Sequence, residues 1–131
     1  MLTAIALVNI EEMTAKEYAY QALVLLKHSE EEFSRGDSRQ ASEKLWGATT
    51  QAVLATMDGK APRTHRELKG RVRELAQEHD DPALRSGFAI AESFHSNFYH
   101  GWMEDFQMEE DAPLVHEFVH RLLAIGRDTG R

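Results

Sequence analysis

Three clusters of residues in this 131-residue chain could do chemistry, and two of them turn on histidine. The segment SFHSNFYHG, residues 93 to 101, carries His95, Asn97, Tyr99 and His100. Imidazole changes charge near neutral pH, so two imidazoles beside an amide and a phenol could hold a phosphate or run acid and base steps. A lone histidine on an apolar face is usually a satisfied core residue, but His95 has neighbours in sequence and a helix carrying His65 to pack against.

The second cluster is RTHRELKGRVR, residues 63 to 73, where Arg63, Arg66, Lys69, Arg71 and Arg73 face a single acid, Glu67. Arg63, Arg66, Lys69 and Arg73 fall close to one helical face, an arrangement that could meet phosphates, with His65 among them. The plainer alternative is a solvated surface helix, or a patch that pairs with acidic residues of a partner.

The third cluster is HEFVH, residues 116 to 120, a literal H-E-x-x-H. In a zincin the two histidines bind zinc from one helical face and the glutamate activates water. The context speaks against that chemistry here. No further ligand follows at metzincin spacing, and only eleven residues remain after His120. His116, Glu117 and His120 also lie opposite Leu114, Phe118 and Leu122, as a solvated polar face does. No metal and no other cofactor is expected.

The elements that must position these residues are helical, because apolar residues recur at spacings of three and four. Thr14 with Glu17 makes a capping box for a helix over 14 to 35, ended by Gly36. Asp37 with Gln40 opens a second, with Ala41, Leu45, Ala48, Ala52 and Ala55 inward. MDGKAPR, residues 57 to 63, is the clearest break, and Thr64 with Glu67 opens a third that aligns His65, Leu68, Val72, Leu75 and His79. Asp81 and Pro82 start a fourth, carrying Leu84, Phe88, Ala91, Phe94 and Phe98 inward and fading near Tyr99 to Gly101. Asp111, with Pro113 in the first turn, opens the last, with Leu114, Phe118, Leu122 and Ile125 inward. The expected fold is all-α: an up-and-down bundle of four main helices plus a C-terminal one over residues 14 to 126, with an N-terminal arm at 1 to 13 and a disordered tail at 127 to 131.

Three strings together, ASEKLWGATTQAV in the second helix, RTHREL opening the third and ESFHSNFYHG closing the fourth, resemble the HEPN superfamily (higher eukaryotes and prokaryotes nucleotide-binding). Within it they look most like the PaREP-type branch known mainly from archaea. The resemblance covers roughly residues 14 to 125. It implies a bundle of four or five helices, usually a homodimer, with the end of helix four near the dimer groove. Many HEPN proteins are metal-independent ribonucleases, often toxins paired with a nucleotidyltransferase-like antitoxin, and their signature is Arg, four to six residues, then His. Here His95, four residues and His100 stand at that spacing, with Asn97 as the following polar residue. Arginine stays charged and grips phosphate bidentately, which imidazole does not, so the phosphate clamp is weakened. The resemblance therefore implies a nucleotide- or RNA-binding module with a degenerate site, an active ribonuclease using His95, Asn97 and His100 being the alternative and a dimeric scaffold a further one.

Composition bounds these readings. With 28% charged and 42% hydrophobic residues and no cysteine, the chain reads as one soluble, cytoplasmic domain. Its opening MLTAIALVNI is too short to span a bilayer and lacks a basic start. The net charge of −7 argues against broad nucleic-acid binding. Residues 63 to 79 are the exception, with five basic side chains against three acidic ones. Trp46, Phe98, Tyr99, Trp102, Phe106 and Phe118 are many large rings for a small bundle, and FYHGWMEDFQM, residues 98 to 108, reads as a linker that would leave several free for a homodimer interface.

Overall fold

In the computed structural model, which describes residues 13–57 and 64–128, every element is an α-helix. The helices are α1 (Ala15–Ser34), α2 (Ser38–Leu54), α3 (His65–Glu78), α4 (Ala83–His100) and α5 (Asp105–Asp128). Residues 1–12 of the expected arm, Arg63 within the break, and residues 129–131 lie outside the described residues, while Met13, the arm's last residue, packs against the core.

Capping residues set the boundaries. Thr14 and Glu17 make the reciprocal capping box of α1, at 3.2 and 3.0 Å. At its other end Gly36 takes a φ of 83°, and the amides of Asp37 and Gly36 return to Glu32 and Phe33 carbonyls in a Schellman motif. Asp37 then accepts from the Gln40 amide and so caps α2. Thr64 does the same for Glu67 at the start of α3. That helix ends in a second Schellman motif, with Asp80 at a φ of 48° and the Asp81 amide 2.8 Å from the Ala76 carbonyl.

Helix α2 is the hub, packing on α1, α3, α4 and α5. Its inward stripe is small where neighbours come close, with Ala41, Ala48 and Ala52 fully buried beside Leu45 and Val53. Phe88 and Phe94 on α4 and Leu122 and Ile125 on α5 close the core, each buried side chain contributing about 2–3 kcal/mol. Helices α4 and α5 meet at Gly87, where a Cβ would stand 2.6 Å from the Phe118 ring.

The last helix begins earlier than the sequence suggests. It starts at Asp105 rather than Asp111, because Gln107 accepts from the Glu104 amide and gives the chain an N-terminal cap six residues upstream. Pro113 therefore lies inside the helix, where its missing N–H costs one hydrogen bond. Of residues 98–108, only 101–104 are linker: Phe98 and Tyr99 end α4, and Phe106 and Met108 begin α5. Leu114 is exposed and His79 sits exposed at the end of α3, so neither is part of the core. At its far end α5 runs to Asp128, two residues past the expected boundary of the bundle.

Candidate functional site

Glu43 and Trp46 on α2 are three residues apart, as are Glu92 and His95 on α4, while His65 and Lys69 on α3 are four apart. Those spacings put each pair on one helical face, and the packing of α3 and α4 on α2 brings the three faces together. Trp46 is the centre. Its indole is 8% exposed, and two imidazoles stack on it with an interplanar angle of 24° each: His65 at 5.1 Å and His95 at 4.9 Å between ring centroids. Phe88 meets both Trp46 and His65 edge-on, and Tyr99 meets His95 edge-on at 5.3 Å.

Each imidazole is held by a carboxylate from a neighbouring helix. His65 Nε2 is 2.6 Å from Glu92 Oε2, and His95 Nδ1 is 2.8 Å from Glu43 Oε1. Lys69 Nζ stands 3.9 Å from the same Glu92 oxygen. A carboxylate on one ring nitrogen fixes the tautomer, so a neutral ring donates there and keeps its lone pair on the other nitrogen. The second nitrogens, Nδ1 of His65 and Nε2 of His95, have no hydrogen-bond partner among the described residues. The side chains are partly open to solvent, His65 at 47% and His95 at 31%. The cluster can thus present two oriented imidazoles, each able to accept a proton or, once protonated, to donate to an oxyanion.

Other candidates stand elsewhere. Asn97 is 1% exposed and structural in its contacts: its Oδ1 accepts from the Met103 amide at 2.7 Å, and its Nδ2 donates to Ser42 Oγ at 3.0 Å and faces Met108 Sδ at 3.6 Å. It ties the end of α4 to the linker and to α2. His100 is exposed at the last residue of α4, 6.5 Å from the Tyr99 ring and not on Trp46. Arg66 and Arg73 are exposed and form no ion pair with the described residues; Arg73 lines a recess of about 550 Å³ that also holds Arg85. Arg71 turns away from the basic face and donates to the Thr56 carbonyl at 2.7 Å, beyond the end of α2.

His116, Glu117 and His120 do not assemble a metal centre: among the described residues no group of three or more His, Asp or Glu side chains could hold an ion. His116 is half-buried, and its pKa is pushed below the usual 6.5 chiefly by burial and also by His120, with Glu30 opposing. No described helix is long and apolar enough to cross a membrane.

Sequence reasoning missed the partners rather than the histidines. Glu43 and Glu92 each lie one helical turn from a cluster residue, a signal that means little until the helices are docked. Arg39 was also silent: its guanidinium donates to the Phe98 and Tyr99 carbonyls at 2.7–2.9 Å, capping α4 beside left-handed Gly101.

No curated protein and no solved structure matches the chain. The model of the archaeal PaREP1/PaREP8 family matches residues 17–119, a span that contains Glu43, Trp46, His65, Glu92, His95 and Tyr99. The chain belongs to the archaeal PaREP1/PaREP8 family.

Proposed function

We propose that this protein is a cytoplasmic, HEPN-like binding module that takes a nucleotide or RNA phosphate at the α3–α4 face. The observation that carries the reading is the meeting of His65 and His95, thirty residues apart in sequence, on one indole beside Lys69. In this reading the second ring nitrogens of His65 and His95 donate to the phosphate once protonated, while Lys69 and Arg66, which forms no ion pair with the described residues, supply fixed positive charge. Glu43 and Glu92 offset that charge and keep broad, non-specific affinity low, in line with the net charge of −7. Titration of the protein with ATP and with a short single-stranded RNA at 50 and 200 mM salt tests this. Two to three phosphate contacts lower the affinity about tenfold across that range. Absent or salt-independent binding would overturn the proposal.

One observation favours a second reading, metal-independent cleavage of RNA. Two imidazoles oriented by carboxylates form an acid and base pair: one takes the proton of the 2′-hydroxyl as its oxygen attacks the adjacent phosphorus, the other gives a proton to the departing 5′-oxygen, and a 2′,3′-cyclic phosphate remains. Such an enzyme would fit a toxin with a nucleotidyltransferase-like antitoxin as partner. RNA incubated with protein and EDTA is cleaved if this holds, and His95→Ala abolishes the cleavage; intact RNA refutes it. His95, not His100 or Asn97, is the residue this geometry favours.

The same module is proposed to act as a homodimer. Tyr99, Trp102 and Phe106 are 60%, 46% and 61% exposed around the α4–α5 junction, next to the imidazole cluster through Tyr99. Rings of this size left in water are frequent anchors of an interface. Light scattering is expected to return twice 14.9 kDa, and a strict monomer at micromolar concentration would refute the dimer.

A further inference from the structure

A groove of about 840 Å³ runs between the C-terminal end of α1, the turn after it and the first half of α5, away from the Trp46 cluster. Its apolar lining is Phe33, Met108, Ala112 and Pro113. Its charged lining is wholly acidic: Glu30, Asp105, Glu109 and Glu117, with no lysine or arginine among the lining residues. The α5 contributors follow one another at spacings of three and four, so they form a single face about 18 Å long. Pro113 adds a further feature. Having no N–H, it withholds from the Glu109 carbonyl the donor that an ordinary helical residue would supply. The groove thus combines an apolar strip with four carboxylates, and Ser34, Ser38 and His116 complete its polar lining.

We propose that this groove docks a basic amphipathic peptide segment of another protein, with apolar side chains on the strip and Lys or Arg side chains on Glu30, Glu109 and Glu117. Charge complementarity selects the occupant. The chain's own residues 1–12, MLTAIALVNIEE, are apolar enough but carry two glutamates and no basic side chain. A second copy could offer its basic α3 face, but no large hydrophobic residue is exposed on α3 to fill the apolar strip. About 18 Å of groove matches a peptide of roughly three helical turns. Its recognition would follow the helix-in-groove mode, with apolar anchors at helical spacing and cations at the rim.

The test uses the full chain and fluorescein-labelled twelve-residue peptides, read by anisotropy. One peptide places leucine on one helical face and lysine on the other; a second replaces the leucines by serine, and a third replaces the lysines by glutamate. Only the first is expected to bind. The double variant Glu109→Lys/Glu117→Lys, both exposed positions, weakens it about tenfold, and Glu30→Lys on α1 weakens it as well. Arg66→Glu, outside the groove lining, leaves it unchanged, which separates failure here from failure of the phosphate reading. Equal binding of the serine peptide, or displacement of the first peptide by spermine at equal concentration, means charge attraction alone and overturns the proposal. So does equal binding of the glutamate peptide, binding indifferent to the α5 charge reversals, or no binding at all.

Discussion

Truncating Asn97 to alanine removes the acceptor of the buried Met103 amide, 2.7 Å away, and the donor to Ser42. The two losses are unequal. Ser42 keeps its own hydrogen bond to the Ser38 carbonyl at 2.7 Å, so only an acceptor falls idle. The Met103 N–H, in a residue 8% exposed, has nowhere else to turn, and an orphaned buried donor costs about 1–3 kcal/mol. With the lost packing of the amide, Asn97→Ala should destabilise by about 3 kcal/mol, a large share of the 5–15 kcal/mol typical of a domain. For a chain of this length that is a fall of about 10 °C in Tm. Urea unfolding followed by circular dichroism at 222 nm measures it, with phosphate binding checked at a temperature where the variant is folded. An unchanged midpoint with lost binding would refute the structural role and return Asn97 to the ligand site.

Three further outcomes follow from the packing. Gly87→Ala drives a Cβ to 2.6 Å from the Phe118 ring, so α4 and α5 must separate; a loss of about 1–3 kcal/mol is expected in the same unfolding assay. Arg39→Ala uncaps the Phe98 and Tyr99 carbonyls and should cost about 1 kcal/mol, seen first as faster amide exchange over the last turn of α4. For His116 the folded state disfavours the imidazolium, so the unfolded chain takes up the proton first. Its contribution is therefore complete above pH 6.5 and is lost as pH falls below that value. In His116→Gln the decline of stability between pH 7 and 5.5 should be shallower than in the native protein.

How much of this was written in the sequence depends on the range of the interaction. Local chemistry was plain: Thr14 with Glu17, Asp37 before Gln40, and Thr64 before Glu67 mark helix starts through contacts three residues apart, and the inward stripes of α2 and α4 follow from helical periodicity. Pro113 misled, since proline in a first turn is the common case and the competing signal, Gln107 reaching back to Glu104, is weak. The site was half legible. Histidine on an apolar face at residue 95, and another at the head of the next basic helix, suggested a meeting. That Trp46 is the surface they share, and that Glu43 and Glu92 hold them, depends on how three helices dock. Asn97 looked like chemistry because it neighbours two histidines in sequence, but on a helix residue 97 points about 200° away from residue 95, into the core.

In the proposed function His65 and His95 together form the phosphate site. Ring-selective 15N NMR of the seven histidines during titration with ATP and with a short RNA tests it directly. The ring signals of His65 and His95 are expected to shift together and saturate together, while His79 and His116 stay still. Binding that moves other histidines and leaves these two unperturbed would contradict it.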